Sequence, residues 1–326
     1  MDVTLLVLKQ HSVYFSFMLV ALCSFFFSLP KDLNPLSAIE IIFQQIAKKV
    51  NLEARSDSYK RLASIFSFAI IFCPLALIIS QLYILAFKPI VIDILILYVL
   101  LSWHEKMTVY QQISHDLQSN NLAKAKLLLA DLTLRETKPL SLVGVNKASI
   151  ESLVLHAANS WFSVVFWYLM TGIYGALFYQ LMSICAQQWN CKLEQYQALG
   201  KIPSIITQVM QLPIHILLSF TFSFYDRPIR TLFTKFKQSI HWHHFSSGLL
   251  LSSFALSLQI QLGGVRMYDS EKVTYSNLGM LKSPRVEDVG LAIQRVALSA
   301  WFWLICISGY EFLPSILSYF SGAYNY

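Results

Sequence analysis

The chain has 326 residues, 56% of them hydrophobic and only 13% charged, and it carries a net charge of +7. Its mean hydropathy is +0.53. Soluble domains carry about a quarter of charged residues, so this composition excludes a soluble globular enzyme. The positive balance calls for no nucleic acid: there is no basic run of that kind, and anionic lipid headgroups beside basic loops account for it.

Uncharged stretches mark the expected spans. A bilayer core takes about 20 apolar helical residues to cross, and a charge at its centre costs about 2.5–3.5 kcal/mol. Helices are therefore expected near 12–29, 62–87, 89–103, 157–183, 202–225 and 296–320. The reading is an all-α, polytopic membrane protein with about six transmembrane helices, a single membrane domain over 1–326. No charged leader and no small-residue cleavage site precede 12–29, so that helix is expected to stay as an anchor. The 89–103 segment is short and follows Lys88 and Pro89.

Two polar regions interrupt the spans. In 104–156, Val109, Ile113 and Leu117 recur at helical spacing, a Ser119-Asn120-Asn121 turn follows, and a second helix runs over 122–132. This predicts a helical hairpin. Pro139 closes the connection, and Asn146 is placed to cap a helix leading into the 157–183 span. In 226–295, Pro228, Gly263-Gly264 and Pro284 punctuate the chain, and no strand is expected. The serine-rich segment 245–265 is long enough to cross. Held off the far side, it leaves twenty-one Lys and Arg on one face and only Lys9, Lys88, Lys192 and Lys201 on the other. A full crossing would divide them sixteen to nine. The positive-inside rule favours the first arrangement, with 245–265 re-entrant or surface-lying and 31–61, 104–156 and 226–295 facing the cytoplasm of a bacterial inner membrane.

Candidate chemistry is sparse. No glycine precedes Gly144, which excludes a P-loop or GxGxxG cradle in the first 143 residues, and the later glycines form neither. Cys23, Cys73, Cys185, Cys191 and Cys306 lie in or beside apolar spans without paired spacing, suggesting neither a disulfide framework nor a zinc site. His241-Trp242-His243-His244 offers imidazoles to a metal, or forms a hydrated interfacial segment with Trp242 at headgroup level. Arg135-Glu136-Thr137 either binds a phosphate through the guanidinium or ends a solvated helix. His156 and Asn159, at the mouth of a span, either line a site or mark the interface. On these residues alone transporter, enzyme and regulatory partner stay open, although the inverted repeats and paired broken helices of many transporters are not seen.

The order of motifs resembles the adenosylcobinamide-phosphate synthase (CobD/CbiB) family of cobalamin assembly. LPKDLNPLSAIEII is similar to that family's Leu-Pro…His-Pro-helix opening, with Asn34 in place of the His. Arg135-Glu136-Thr137 resembles its Arg-Asp-Thr, and Glu151-Ser152 its Glu-Ser. In FWYLMTGIYGALFYQLMSICAQQWNCKLEQYQALG, Gly172, Gly175, Ala176, Leu177, Tyr179, Lys192, Tyr196 and Gly200 match without a gap. His241 or His243 to Gly248 looks like its His-Pro-Ser-Pro-Asn-Ala-Gly, and LGGVRMY like its Leu-Gly-Gly-Pro…Tyr. Leu278-Gly279, Pro284 and Glu287-Asp288-Val289 continue the pattern. The resemblance implies a ligase that joins adenosylcobyric acid to aminopropanol phosphate, or an ethanolamine-type amine, with ATP and magnesium. It implies catalytic roles for Arg135, Glu136, Thr137, Glu151, Asn159, Lys192 and His243. Substrate contacts would fall to Tyr179, Tyr196, Gly248, Gly263, Gly264 and Tyr268, and metal binding to Glu287 and Asp288.

Departures from the pattern fall on acids. The Glu-Asn pair is absent, the Asp of Asp-Gly is Asn159, and the acid ending the glycine-rich helix is Ala186. No acid occurs in 201–213, and Leu250-Leu251 replaces a Pro-Glu. A catalytically silent, AmpE-like membrane regulatory partner is therefore the alternative to a divergent ligase.

Overall fold

The computed structural model describes residues 12–30, 33–52, 54–101, 103–225, 228–242, 244–268 and 271–323. Four helical stretches are long and apolar enough to cross a membrane: Asp57–Leu85, Leu142–Gln188, Lys201–Ser223 and Val286–Leu313, beside shorter apolar helices at Tyr14–Phe26 and Phe245–Ser257. The chain is an α-helical membrane protein.

Helix α1 (Ser12–Phe26) packs on α4 (Ile90–Leu100). With 15 and 11 residues, both are shorter than the expected 12–29 and 89–103. Breaks at Phe27 and at Leu101 stop them. At one level Phe25 meets Trp103 (5.0 Å), Trp161 (5.5 Å) and Trp301 (5.4 Å). This aromatic layer ties the first span to α5 (Trp103–Gln118) and to α12 (Val286–Ala323). Helix α2 (Pro35–Val50) is capped by Asn34 and α3 (Asp57–Leu85) by Ser56. The hairpin expected in 104–156 is formed by α5 and α6 (Leu122–Ala130), the latter capped by Asn121. Asn146 does not cap α7 (Leu142–Ala157). Ser141 does, because its hydroxyl reaches the Gly144 N–H at 3.2 Å, while Asn146 lies inside the helix and donates to the Pro284 carbonyl at 3.3 Å.

A π-helical turn (Ala158–Phe162) joins α7 to α8 (Ser163–Gln188). The 157–183 stretch is expected to be one span, but it folds back on itself. Gly172 has φ 72° and ψ −163°, and the Tyr179 hydroxyl donates to the Asn159 carbonyl at 2.9 Å across twenty residues. A straight helix would hold those residues about 30 Å apart. Gly175 completes the turn, since a Cβ there would lie 1.7 Å from Thr171 Oγ1. The returning arm runs down α3, with Tyr174 beside Tyr83 (6.2 Å) and Phe178 edge-on to Phe68 and Phe72 (5.2 Å each).

The fold-back moves the next loop to the other face from the one expected. Trp189 Nε1 donates to the Phe43 carbonyl (3.0 Å), Gln44 to Gln188 (2.8 Å), and Asn51 to the Gln195 carbonyl (2.6 Å). Lys192 and Lys201 thus join the basic face of 31–61, and Lys88 alone among the described lysines and arginines stands at the Gly172 end. Helix α9 (Lys201–Ser223) then leaves the 189–200 loop, and just beyond its end the Tyr225 ring lies 4.6 Å under Arg295 of α12. In a cysteine-free background, a cysteine at Lys192 is expected to react with an impermeant maleimide from the same side as one at Lys124, and a cysteine at Lys88 from the opposite side. Labelling of Lys192 and Lys88 positions from one side would contradict the reversal.

After α10 (Pro228–Ile240) and α11 (Phe245–Ser257) comes an antiparallel hairpin of β1 (Gln261–Tyr268) and β2 (Glu271–Gly279), where no strand was expected. Its residues alternate small, polar and apolar rather than forming an apolar run, so hydropathy conceals them. Helix α11 has 13 residues, about 20 Å, too short to cross. It packs on α9 and α10, and the chain leaving it is tied to the segment after β2 by Met280 N–H to the Ile260 carbonyl (2.9 Å) and Gln261 N–H to the Lys282 carbonyl (2.6 Å).

Candidate functional site

Glu151, near the end of α7, is 1% exposed. A carboxylate removed from water is tolerated only when paired and hydrogen-bonded, and three elements supply the partners. Arg135, from the stretch between α6 and α7, donates through Nη2 to Glu151 Oε2. Arg266 of β1 donates to the same oxygen at 3.0 Å. The Gly263 N–H donates to Oε1 at 2.7 Å. The Glu136 N–H donates to the Met267 carbonyl at 3.0 Å, which lays the Arg135 stretch along β1 and aligns the two guanidiniums.

The backbone at Glu151 needs glycine. Gly263 has φ +79°, and a Cβ there would sit 2.3 Å from the Ser276 carbonyl oxygen. Gly264, at φ +100°, lies in the bulge between Gly263 and Val265. The Arg266 guanidinium lies 5.0 Å from the Trp242 ring and 4.3 Å from the Tyr275 ring, a cation–π cradle that holds its plane. Gly248 of α11 lets Trp242 in: a Cβ would come within 2.6 Å of Trp242 Cβ. Trp242 is therefore a buried platform rather than an interfacial anchor.

Two buried guanidiniums face one carboxylate, and Lys147, one turn back on α7, donates to Gln261 at 3.0 Å. Arg135 Nε is buried with no hydrogen-bond partner among the described residues. Both Glu151 oxygens are occupied, so Glu151 is no free base; its role is to hold two arginines side by side. Lysine at position 266 would keep the charge and lose the planar stack. Arg266→Lys is expected to cost about 1–2 kcal/mol, read as a fall of a few degrees in Tm of the purified protein, whereas an unchanged Tm would contradict the cradle.

A second polar cluster lies two turns further along the same helix. Asn159, in the π-turn, has its Oδ1 3.1 Å from Nε2 of His215 on α9, and His215 Nδ1 is 3.3 Å from Ser246 Oγ on α11. Gln211 donates to the Tyr179 hydroxyl at 3.3 Å. Beside it, the Tyr110 hydroxyl is hydrogen-bonded to His156 Nδ1 at 2.6 Å. Burial pushes that phenol above its ordinary pKa, keeping the proton on oxygen.

Of the residues expected at a site, Arg135, Glu151, Gly263, Gly264 and Gly248 come together around one carboxylate, with Glu136 and the buried Thr137 on the adjoining backbone. Asn159 and Tyr179 form the second cluster. Lys192 and Tyr196 belong to the loop against α2, where the Tyr196 carbonyl accepts from Gly200 N–H (2.8 Å). Asp288 takes the Arg285 N–H at 2.7 Å, as a helix cap does, and Glu287 beside it is exposed. Among the described residues no group of three His, Cys, Asp or Glu is placed to hold a metal. His243 lies outside the described residues, as does the Tyr268 side chain, although the Tyr268 backbone pairs with Glu271. Sequence reasoning missed Arg266, Lys147 and His215. The signal for Arg266 was a lone charge next to Gly263-Gly264; His215 carried none beyond being a polar residue in an apolar stretch.

The site is a buried Arg–Glu–Arg centre in a helical membrane protein, with a β-hairpin packed against α7. The chain belongs to the CobD/Cbib protein family, whose model matches residues 17–296. It is similar to the cobalamin biosynthesis protein CobD of Chromobacterium violaceum, 24% identical over 243 residues, covering 74% of this chain and 78% of that protein. It is also similar to the protein of the same name from Stutzerimonas stutzeri, 22% identical over 66% of this chain and 71% of the relative. A probable cobalamin biosynthesis protein CobD of Pyrococcus abyssi is 22% identical over 36% of this chain and 40% of its own length. No solved structure matches.

Proposed function

We propose that this chain serves cobalamin biosynthesis as a multi-pass protein of the bacterial inner membrane, acting as the ligase that joins adenosylcobyric acid to aminopropanol phosphate. The observation that carries the reading is the buried Arg135–Glu151–Arg266 cluster, at the positions that resemble the family's Arg-Asp-Thr, Glu-Ser and Leu-Gly-Gly motifs. A phosphate or carboxylate oxygen entering beside Arg135 and Arg266 would meet two aligned guanidinium donors. The basic face that carries this centre turns toward the cytoplasm by the positive-inside rule.

ATP suits the two guanidiniums, which would take its phosphate oxygens, and it would supply the phosphoryl group that activates a carboxylate for amide formation. Magnesium does not suit Glu151. Both of its oxygens are already bonded, and no three-ligand group stands among the described residues, so no step is assigned to a metal.

The test is complementation of a bacterium lacking its adenosylcobinamide-phosphate synthase, with growth made dependent on adenosylcobyric acid. The expected result is growth with the wild-type chain and none with Arg135→Ala present at normal level in the membrane. No growth with a membrane-inserted wild-type chain would contradict the ligase reading.

A further inference from the structure

We propose that Asn159 is the donor that holds the acyl oxygen of the carboxylate substrate, and that His215 is the positioning residue that aims it. This rests on the ligase reading. His215 Nε2–H donates to Asn159 Oδ1 at 3.1 Å, while His215 Nδ1 accepts from Ser246 Oγ–H at 3.3 Å. With Oδ1 taken, the free end of the carboxamide is its NH2 group, which has no partner among the described residues. The side chain is half-buried, whereas His215 and Ser246 are buried. The half-buried amide donor is thus carried on a buried, hydrogen-bonded support.

Two further features show a built arrangement. Asn159 sits in a π-helical turn, a distortion that re-aims side chains and occurs often at functional sites. The fold-back at Gly172 brings the Tyr179 hydroxyl onto the Asn159 carbonyl at 2.9 Å, locking that turn from behind. Polar residues inside a membrane bundle are costly, and their usual place is a ligand pathway. Asn159 is eight residues beyond Glu151, about 12 Å along the helix. That spacing suits an extended pair of substrates, with anionic groups on Arg135 and Arg266 and the reacting carboxyl at Asn159. An amide donor fixed before the substrate arrives stabilises charge on oxygen without reorganising.

The test is steady-state ligase assay of the purified protein in lipid nanodiscs with adenosylcobyric acid, aminopropanol phosphate, ATP and magnesium. Asn159→Ala and His215→Ala are expected to lower kcat/KM for adenosylcobyric acid at least about 10-fold, leaving the KM for aminopropanol phosphate within about 2-fold. His215→Gln, whose Nε2 still donates, is expected to recover most of the loss. Wild-type kcat/KM in His215→Ala would overturn the proposal, as would equal losses for both substrates without rescue by Gln, which mark a packing role. A wild-type protein with no turnover sinks the ligase reading itself, and this inference with it. Turnover by wild type with an indifferent His215→Ala sinks this inference alone.

Discussion

Glu151→Ala is expected to lower the stability of this protein by about 3–5 kcal/mol, the range for removing one partner of a buried ion pair. The substitution leaves the Arg135 and Arg266 guanidiniums, each 8% exposed, facing one another with no carboxylate between them. It also strands the Gly263 N–H, which bonds Glu151 at 2.7 Å. The stretch before α7 and the strand β1 are then held together mainly by backbone contacts, and like charges push them apart. Thermal unfolding in detergent and the level of membrane-inserted protein both report the loss. Arg135→Ala combined with Glu151→Ala is expected to be less damaging than the sum of the single changes, because one uncompensated charge leaves with its partner. Additive losses, or a Glu151→Ala protein as stable as wild type, would show that the three groups do not form one electrostatic unit.

Gly172→Ala is the second large effect, and it acts through the backbone alone. At φ 72° and ψ −163° the residue occupies a region nearly restricted to glycine, where a side chain costs about 1–3 kcal/mol. Nothing lies within 4 Å of the Cβ that would be added, so steric contact does not confuse the reading. Gly309 provides the control: nothing lies near its added Cβ either, and it sits inside α12, so Gly309→Ala is expected to be neutral or mildly stabilising. A large fall in Tm for Gly172→Ala with none for Gly309→Ala supports the reversal. Equal behaviour of the two variants would argue for a continuous helix through Gly172.

Much of the helical architecture was legible because it rests on local signals. The Ser119-Asn120-Asn121 turn ends in Asn121, which caps α6 through its side-chain oxygen, and the helical spacing of Val109, Ile113 and Leu117 marked the inner face of α5. What was not legible was the course of the chain through 157–183. The reversal at Gly172 depends on one dihedral angle, and to a hydropathy window 157–183 is uniform. That single turn brings the loop before Lys201 against α2, where Trp189 donates to the Phe43 carbonyl. The β-hairpin failed for a related reason: β1 holds its place through Glu151 and the Arg135 stretch, contacts more than a hundred residues apart in sequence in the case of Arg266 and Glu151.

The candidate site was legible in part for the same physical reason. Arg135, Glu151 and Gly263 stood out through resemblance to a family, and each proves to be a partner in one ion cluster. Arg266 completes that cluster from the middle of a strand that was not foreseen. His215 lies on the far side of the fold-back, where no pattern in an apolar helix ties it to Asn159. Acids expected for a metal were already thin in the sequence, and Asp288 is engaged in capping its own helix.

Amide formation at the arginine pair is tested most directly by product analysis. Membranes holding the wild-type chain, Arg135→Gln or Arg266→Gln would be incubated with adenosylcobyric acid, aminopropanol phosphate, ATP and magnesium, and the corrinoids resolved by mass spectrometry. Adenosylcobinamide phosphate formed by wild type, and reduced about 100-fold in each variant at equal protein level, is the expected result. No product from the wild-type chain, or undiminished product from both variants, would contradict a ligase that works through Arg135 and Arg266.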